Sequence, residues 1–154
     1  LYGRQSTSGT YTFFRNSVLK DDYSPEMRNM EGNQAIVDAV IADKNGVGYV
    51  GVGYVKDGNN QPRSDMKVIP VIDNSNEKVA ISPLDSEAVK LGKYPIARPI
   101  FQYLPHLPKK NSLLEAFLRF EMSEQGQEIV KKAGFFSLSE KYEKENQELL
   151  KKIK

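Results

Sequence analysis

The sequence has 154 residues, which is enough for one ordinary domain or for one lobe of a larger protein. It contains no cysteine and one histidine, so disulfides and thiolate metal sites are excluded and imidazole chemistry has a single candidate, His106. Lysine and arginine number 22 against 20 acidic residues, and the net charge of +2 is too weak for a nucleic-acid-binding surface unless it is strongly clustered. We therefore expect no nucleic-acid partner, no metal and no cofactor.

The sequence was inspected for a membrane-spanning segment, a secretory leader and a starting methionine. No apolar run approaches the roughly 18 residues that a membrane span needs, and no secretory leader is visible. The chain opens at Leu1 rather than at a methionine. We expect a processed or dissected part of a longer protein.

Two helices are predicted in the first third of the chain. In residues 8–19, Ser8 or Thr10 can cap a short helix whose apolar side carries Phe13, Phe14 and Val18. In residues 34–42 the apolar side chains recur at helical spacing, and Gly46 follows where a helix stop belongs.

Extended segments are predicted in the middle of the chain. Residues 47–55 are β-branched and aromatic with interspersed glycines, which predicts a strand that a bend divides in two. Residues 67–72 and 78–81 predict two short strands that flank a turn at residues 73–76. The proline-punctuated run 94–103 is extended and is the best candidate for a hinge or crossover.

The C-terminal part is predicted to be helical. Ser112 and Glu115 match a capping box, and Ser123 begins a second helix that Gly134 ends. Residues 139–154 alternate glutamate and lysine, which is typical of a solvated helix face. The apolar side chains expected to face inward on the first of these helices are Leu114, Phe117 and Leu118. Helices that alternate with short strands indicate a mixed α/β fold.

The stretch 3–10, Gly-Arg-Gln-Ser-Thr-Ser-Gly-Thr, is the most informative for function. A helix start presents unpaired N–H groups and the positive end of the helix dipole, which together favour an oxyanion. Gly9 lets the backbone approach closely, Ser8 and Thr10 add hydroxyl donors, and Arg4 brings a planar guanidinium that can bind two oxygens. These residues predict a site for a phosphate-like anion.

Other interpretations of this stretch, and other candidate sites in the chain, remain open at this point. Ser-Gly-Thr before a helix is more often only a cap than a ligand site. Ser8 lacks an obvious base and the Gly-x-Ser-x-Gly spacing, which disfavours a hydrolase. The glycines of residues 46–53 precede no Gly-Lys-Ser/Thr, and tight packing explains them better than a nucleotide loop. His106 stands alone in a proline-rich link, so no catalytic residue is predicted and the chain is not expected to be an enzyme.

The segment 4–10, Arg-Gln-Ser-Thr-Ser-Gly-Thr, resembles the Arg-x-x-x-Ser-Gly-Thr signature of the phosphate-binding proteins of ABC-type phosphate transporters. Further landmarks of that family follow in order at 32–33, 46–55, 92–99 and 117–136, so the resemblance covers about residues 2–138. It implies a type II periplasmic-binding-protein fold, an α/β architecture of which this chain is similar to one lobe, the later half.

The resemblance also implies roles for individual residues. Arg4, Ser8, Gly9 and Thr10 would be this lobe's phosphate contacts, with Ser6 and Thr7 as possible supporting residues. Ser6 stands where some members have an aspartate that braces the arginine. The remaining ligands of the family would lie upstream, on the other lobe.

The function implied is that of a non-enzymatic phosphate receptor of an ABC importer, outside the cytoplasm, either periplasmic or lipid-anchored. Residues 1–104 would form the anion-binding lobe with a crossover strand at its end, and residues 105–154 a helical segment that packs on this lobe or on its absent partner. The expected partners are inorganic phosphate and, through the full-length protein, the permease. An isolated lobe could also self-associate. The alternative is a stand-alone anion-sensing or protein-interaction module.

Overall fold

A computed structural model describes residues 1–73 and 79–153. At its centre two short parallel strands pair, β1 (Tyr2–Arg4) and β2 (Arg28–Met30). Tyr2 lies opposite Arg28 and Arg4 opposite Met30, so both strands run from the same end of the sheet to the other. Neither strand was among the segments predicted from the sequence.

The helices account for most of the regular structure. Those predicted for residues 8–19, 34–42, the C-terminal pair and the charged tail are all present, whereas the short helix α3 was not predicted. In chain order they are α1 (Gly9–Phe14), which continues as a π-helical turn (Arg15–Leu19), α2 (Asn33–Ala42), a 3₁₀ helix (Val52–Val55), α3 (Ser86–Lys90), α4 (Leu113–Met122), α5 (Glu124–Lys132) and α6 (Glu140–Leu150).

Side-chain caps explain where several of these helices begin. The side-chain oxygens of Ser8, Asp85, Ser112 and Ser123 each accept a hydrogen bond from a backbone N–H in the first turn of α1, α3, α4 and α5. The predicted capping box at α4 is shifted by one residue, because the Glu115 carboxylate accepts from the amide of Asn111 at 2.6 Å. The neighbouring Arg119 guanidinium and that amide hold the pKa of Glu115 below its usual value.

The core is small and lies between α2 and the sheet. Ile36 and Val37 on α2 are 1% and 2% exposed. A Cβ added to Gly48 would lie 2.7 Å from Cγ2 of Ile36, so the chain after α2 passes directly over this helix. The buried hydrophobic residues in the described ranges are Tyr2, Met27, Ile36, Val37 and Ala88.

The strand predicted for residues 47–55 is wrong. Only Gly48 pairs, in a parallel bridge with Tyr2, and residues 52–55 form a 3₁₀ helix. A strand can pair only along the length of the strand beside it. The neighbouring strand here is β1, which has three residues. The close contacts of this segment are made by its glycines instead, Gly48 with Ile36 of α2 and Gly53 with Gly134, whereas Val47 is 52% exposed.

The other predicted strands are also reduced. Val71 and Ile81 form a single antiparallel bridge between the predicted segments 67–72 and 78–81. Residues 74–76 of the predicted turn and residue 78 of the second segment lie outside the described residues. Segment 94–103 begins with a turn at residues 95–96 and forms no ladder with the rest of the described chain. Its prolines remove backbone donors, which explains the missing ladder.

The apolar face predicted for α4 is only partly correct. Leu114 and Phe117 remain exposed, and Leu118 alone of the three is partly buried. Val18 near the end of the first helix is likewise exposed. No element in the described part of the chain covers these side chains.

Residues beyond 104 contact the first part of the chain through a close backbone approach. A Cβ on Gly134, whose φ is +84°, would lie 2.6 Å from Cα of Gly53. The division at residue 104 stays a prediction. None of the helices in residues 1–73 and 79–153 has the length and apolar character of a membrane-spanning segment.

Candidate functional site

The carboxyl ends of the two strands define one edge of the sheet. β1 ends at Arg4 and its loop leads to α1, while β2 ends at Met30 and its loop leads to α2. Because the strands are parallel, both loops and both helix starts lie at the same edge. In open α/β sheets this is the edge at which ligands bind.

Arg4 extends from this edge with an incomplete set of hydrogen bonds. Its backbone amide donates to the Tyr49 hydroxyl at 3.3 Å, and its Nη1 donates to Oδ1 of Asn33 at 3.2 Å. Its Nε is buried and has no hydrogen-bond partner among the described residues. A buried charged donor without a partner is costly, so the guanidinium is suited to an anion at this point.

Ser8 forms the cap at the start of α1. Its Oγ accepts from the amide of Thr10 at 3.2 Å, and its own amide donates to the carbonyl of Gln5 at 2.9 Å. The simple capping role considered from the sequence is therefore present. A hydroxyl that accepts one hydrogen bond still has a proton to donate, so capping and anion binding are compatible.

Gly9 leaves its own backbone amide free. Within the described chain no acceptor is bonded to that amide. A Cβ added to Gly9 would meet only the Arg98 guanidinium, at 3.6 Å from Nη1, so the space beside the loop is open. Gly9, Ser8 and Arg4 thus offer an amide, a hydroxyl and a guanidinium at one edge of the sheet.

Thr10 contacts a second arginine that comes from far along the chain. Nη2 of Arg98 donates to Oγ1 of Thr10 at 3.3 Å, across 88 residues of sequence. The same guanidinium lies 5.1 Å from the centre of the Phe13 ring. The start of α1 is therefore in contact with the positive charge of Arg98.

A cluster of aromatic rings fixes α1 against the sheet. Phe14 stacks on Tyr49 with ring centroids 4.2 Å apart, and Tyr11 packs against Tyr23 at 4.4 Å. The Tyr23 hydroxyl donates to the carbonyl of Tyr11, and burial raises the pKa of Tyr23 well above its usual value. Because Tyr49 also bonds the amide of Arg4, the cluster sets the position of α1 relative to that arginine.

The remaining predicted residues lie at the surface of the loop. Ser6 and Thr7 are exposed in the turn between β1 and α1. The oxygen that accepts from the Arg4 guanidinium belongs to Asn33 rather than to residue 6. From the sequence, Asn33 and Arg98 belong to the family landmarks at 32–33 and 92–99, but no role at the site was predicted for either.

The described residues contain no group of three or more histidine, aspartate or glutamate side chains that could hold a metal ion. Two guanidinium groups, the free amide of Gly9 and the hydroxyl protons of Ser8 and Thr10 are the donors at this edge, and none of these named side chains is a carboxylate. These groups are of the chemical kind that binds anions.

Comparison with known proteins agrees with this architecture. A family model described as a PBP superfamily domain matches residues 1–125. The phosphate-binding protein PstS of Pseudomonas aeruginosa is 32% identical over 144 residues, which span 92% of this chain and 42% of that protein. The phosphate-binding protein PstS of Staphylococcus haemolyticus is 28% identical over 153 residues, covering 98% of this chain and 45% of its own length.

A solved structure is also similar. The crystal structure of a possible phosphate binding protein from Planctomyces limnophilus aligns with a TM-score of 0.65 at 22% identity, over 97% of this chain and 52% of that one. The chain spans less than half the length of the two PstS relatives. The mixed α/β fold predicted from the sequence is confirmed, and the partial coverage is consistent with one lobe of the larger fold. The chain belongs to the PBP superfamily and is PstS-like.

Proposed function

We propose that this chain is the phosphate-binding lobe of a receptor for an ABC-type importer and acts outside the cytoplasm. Inorganic phosphate would lie at the carboxyl edge of the sheet, bound by Arg4, Ser8, Gly9 and Thr10. Ser6 and Thr7 would support the loop. The observation that carries the proposal is the buried Nε of Arg4, which has no partner among the described residues and lies at the end of the strand that leads to α1.

The donors at this edge match a tetrahedral oxyanion. Arg4 offers N–H groups of its guanidinium, Gly9 its free amide, and Ser8 and Thr10 their hydroxyl protons. Hydrogen bonds to a charged group contribute about 1.5–3 kcal/mol each, so a few of them reach millimolar binding, which needs about 4 kcal/mol. Tighter binding would come from a second lobe closing over the anion.

The site supports the function of a receptor rather than that of an enzyme. The groups at the edge bind and orient an anion, and the curated relatives are named as binding proteins. The permease would recognise the full-length protein after the two lobes of that protein have closed around phosphate. The exposed apolar side chains of the C-terminal part, including Leu113 at 87%, are what another lobe would cover, and they support the expected self-association of an isolated lobe.

A phosphate titration of this chain tests the proposal. Phosphate at ten times its dissociation constant should stabilise the fold by about 1.4 kcal/mol through mass action, which raises the melting temperature measurably. Sodium chloride at equal ionic strength is the control. A melting temperature that follows ionic strength alone, with no specific effect of phosphate, would contradict it.

Removal of the Thr10 hydroxyl should weaken phosphate binding about tenfold at nearly unchanged stability. Thr10→Val keeps the side-chain shape but removes one donor to the anion, and a hydrogen bond to a charged group is worth about 1.5–3 kcal/mol. The dissociation constants are compared by calorimetry. Thr12→Val on the same helix is the matched control. The Thr12 hydroxyl donates to the backbone carbonyl of Ser8 at 3.5 Å, so its proton is not offered to the anion. Equal losses in the two variants would argue against a contact by Thr10.

A further inference from the structure

Arg98 is the described side chain that connects the start of α1 to the predicted crossover segment. Its Nη2 is 3.3 Å from Oγ1 of Thr10, and its Nη1 is 3.6 Å from the point that a Cβ on Gly9 would occupy. The guanidinium also lies 5.1 Å from the centre of the Phe13 ring. Gly9, Thr10 and Phe13 are thus all in contact with one exposed guanidinium.

The Arg98 contact decides the direction of the Thr10 hydroxyl proton. A threonine hydroxyl has one proton and two lone pairs, whereas an arginine only donates. When the Thr10 oxygen accepts from Arg98, its own proton must point to another acceptor. The hydroxyl is thereby held as a donor, and the adjacent positive charge makes that donor stronger.

The geometry also places the guanidinium where an anion at Gly9 would encounter its charge. The ring of Phe13 supports one face of the group, which limits the positions it can take. No carboxylate forms an ion pair with Arg98 among the described residues. Its charge is therefore not neutralised at the loop.

The geometry points to Arg98 as a positioning residue for anion binding that acts through Thr10. This role rests on the proposed function, because it presupposes an anion at the start of α1. Arg98 orients the Thr10 hydroxyl as a donor and ties the segment 94–103 to the binding loop. Movement of that segment would change the donor that Thr10 presents.

A double-mutant cycle between these two residues tests the role. Arg98→Met should weaken phosphate binding about tenfold, as should Thr10→Val, because each removes the oriented donor. The double variant should then be only about 10- to 20-fold weaker than the parent rather than about 100-fold, since residues that act as a unit are not additive. Lys152→Met, which removes one exposed charge beyond α6, corrects for net charge.

Calorimetry with inorganic phosphate and melting curves without it provide the two readouts. The role predicts an about tenfold weaker phosphate affinity in Arg98→Met at a melting temperature, measured without phosphate, close to that of the parent. An unchanged affinity in Arg98→Met, or fully additive losses in the double variant, would overturn the role while leaving Arg4 and the proposed function intact. A parent chain that shows no specific phosphate response would overturn both.

Discussion

Replacing Arg4 with methionine should weaken phosphate binding by roughly 10- to 150-fold, which is the range for losing a charged hydrogen-bond donor. Arg4→Met keeps an unbranched apolar stem in the partly buried position and removes the guanidinium. The Nε that has no partner in the described chain disappears with it, so the fold should keep its stability or gain some. Calorimetric titration with phosphate measures the affinity, and thermal unfolding without phosphate measures the stability.

Arg28→Met is the matched control for that experiment. Arg28 lies on the neighbouring strand, at the opposite end of the same sheet, where its Nη1 donates to the Tyr2 hydroxyl at 3.1 Å. The substitution removes the same charge from the same sheet and should leave phosphate affinity nearly unchanged. Equal losses in both variants would mean that net charge, rather than the carboxyl edge of β1, governs binding.

Replacing Ile36 with alanine should destabilise the fold by about 2–5 kcal/mol. Ile36 is 1% exposed and lies where the segment that contains Gly48 crosses α2. The truncation therefore leaves a cavity in a core that has few other members among the described residues. Total stabilities are only about 5–15 kcal/mol, so the loss would be a large share. Urea unfolding followed by circular dichroism measures it.

Ile41→Ala makes the same truncation five residues later on the same helix, at a position that is 38% exposed. It should cost less than about 1 kcal/mol, since a partly exposed side chain has fewer contacts to lose. Similar losses in the two variants would contradict the placement of the core on the Ile36 side of α2. Because Asn33 on this helix bonds Arg4, the Ile36 variant should also bind phosphate less well.

Local signals in the sequence were sufficient to predict most helices. Ser8, Ser112 and Ser123 were each predicted at a helix start, and each accepts a backbone N–H there. Capping is a contact over two or three residues, so it is visible in a short window of sequence. The strands depend on distant partners, and a three-residue run such as 28–30 has no alternation to reveal it.

The same distinction applies to the candidate site. The stretch from Arg4 to Thr10 is continuous, and its donors could be predicted together from the sequence. Asn33 and Arg98 contact that stretch from 29 and 88 residues away, and only the fold brings them there. Patterns of neighbouring residues carry no information on such contacts.

The most direct measurement is a titration of the isotope-labelled chain with inorganic phosphate, followed by the amide resonances. Gly9 has the free N–H at the start of α1, so its amide should show the largest saturable shift, with smaller shifts at Ser8, Thr10 and Arg4. One competing location is a cavity of about 330 Å³ whose lining includes Lys56, Lys90 and Lys131. Shifts that saturate around those lysines, with Gly9 unmoved, would contradict phosphate binding at the carboxyl edge of the sheet.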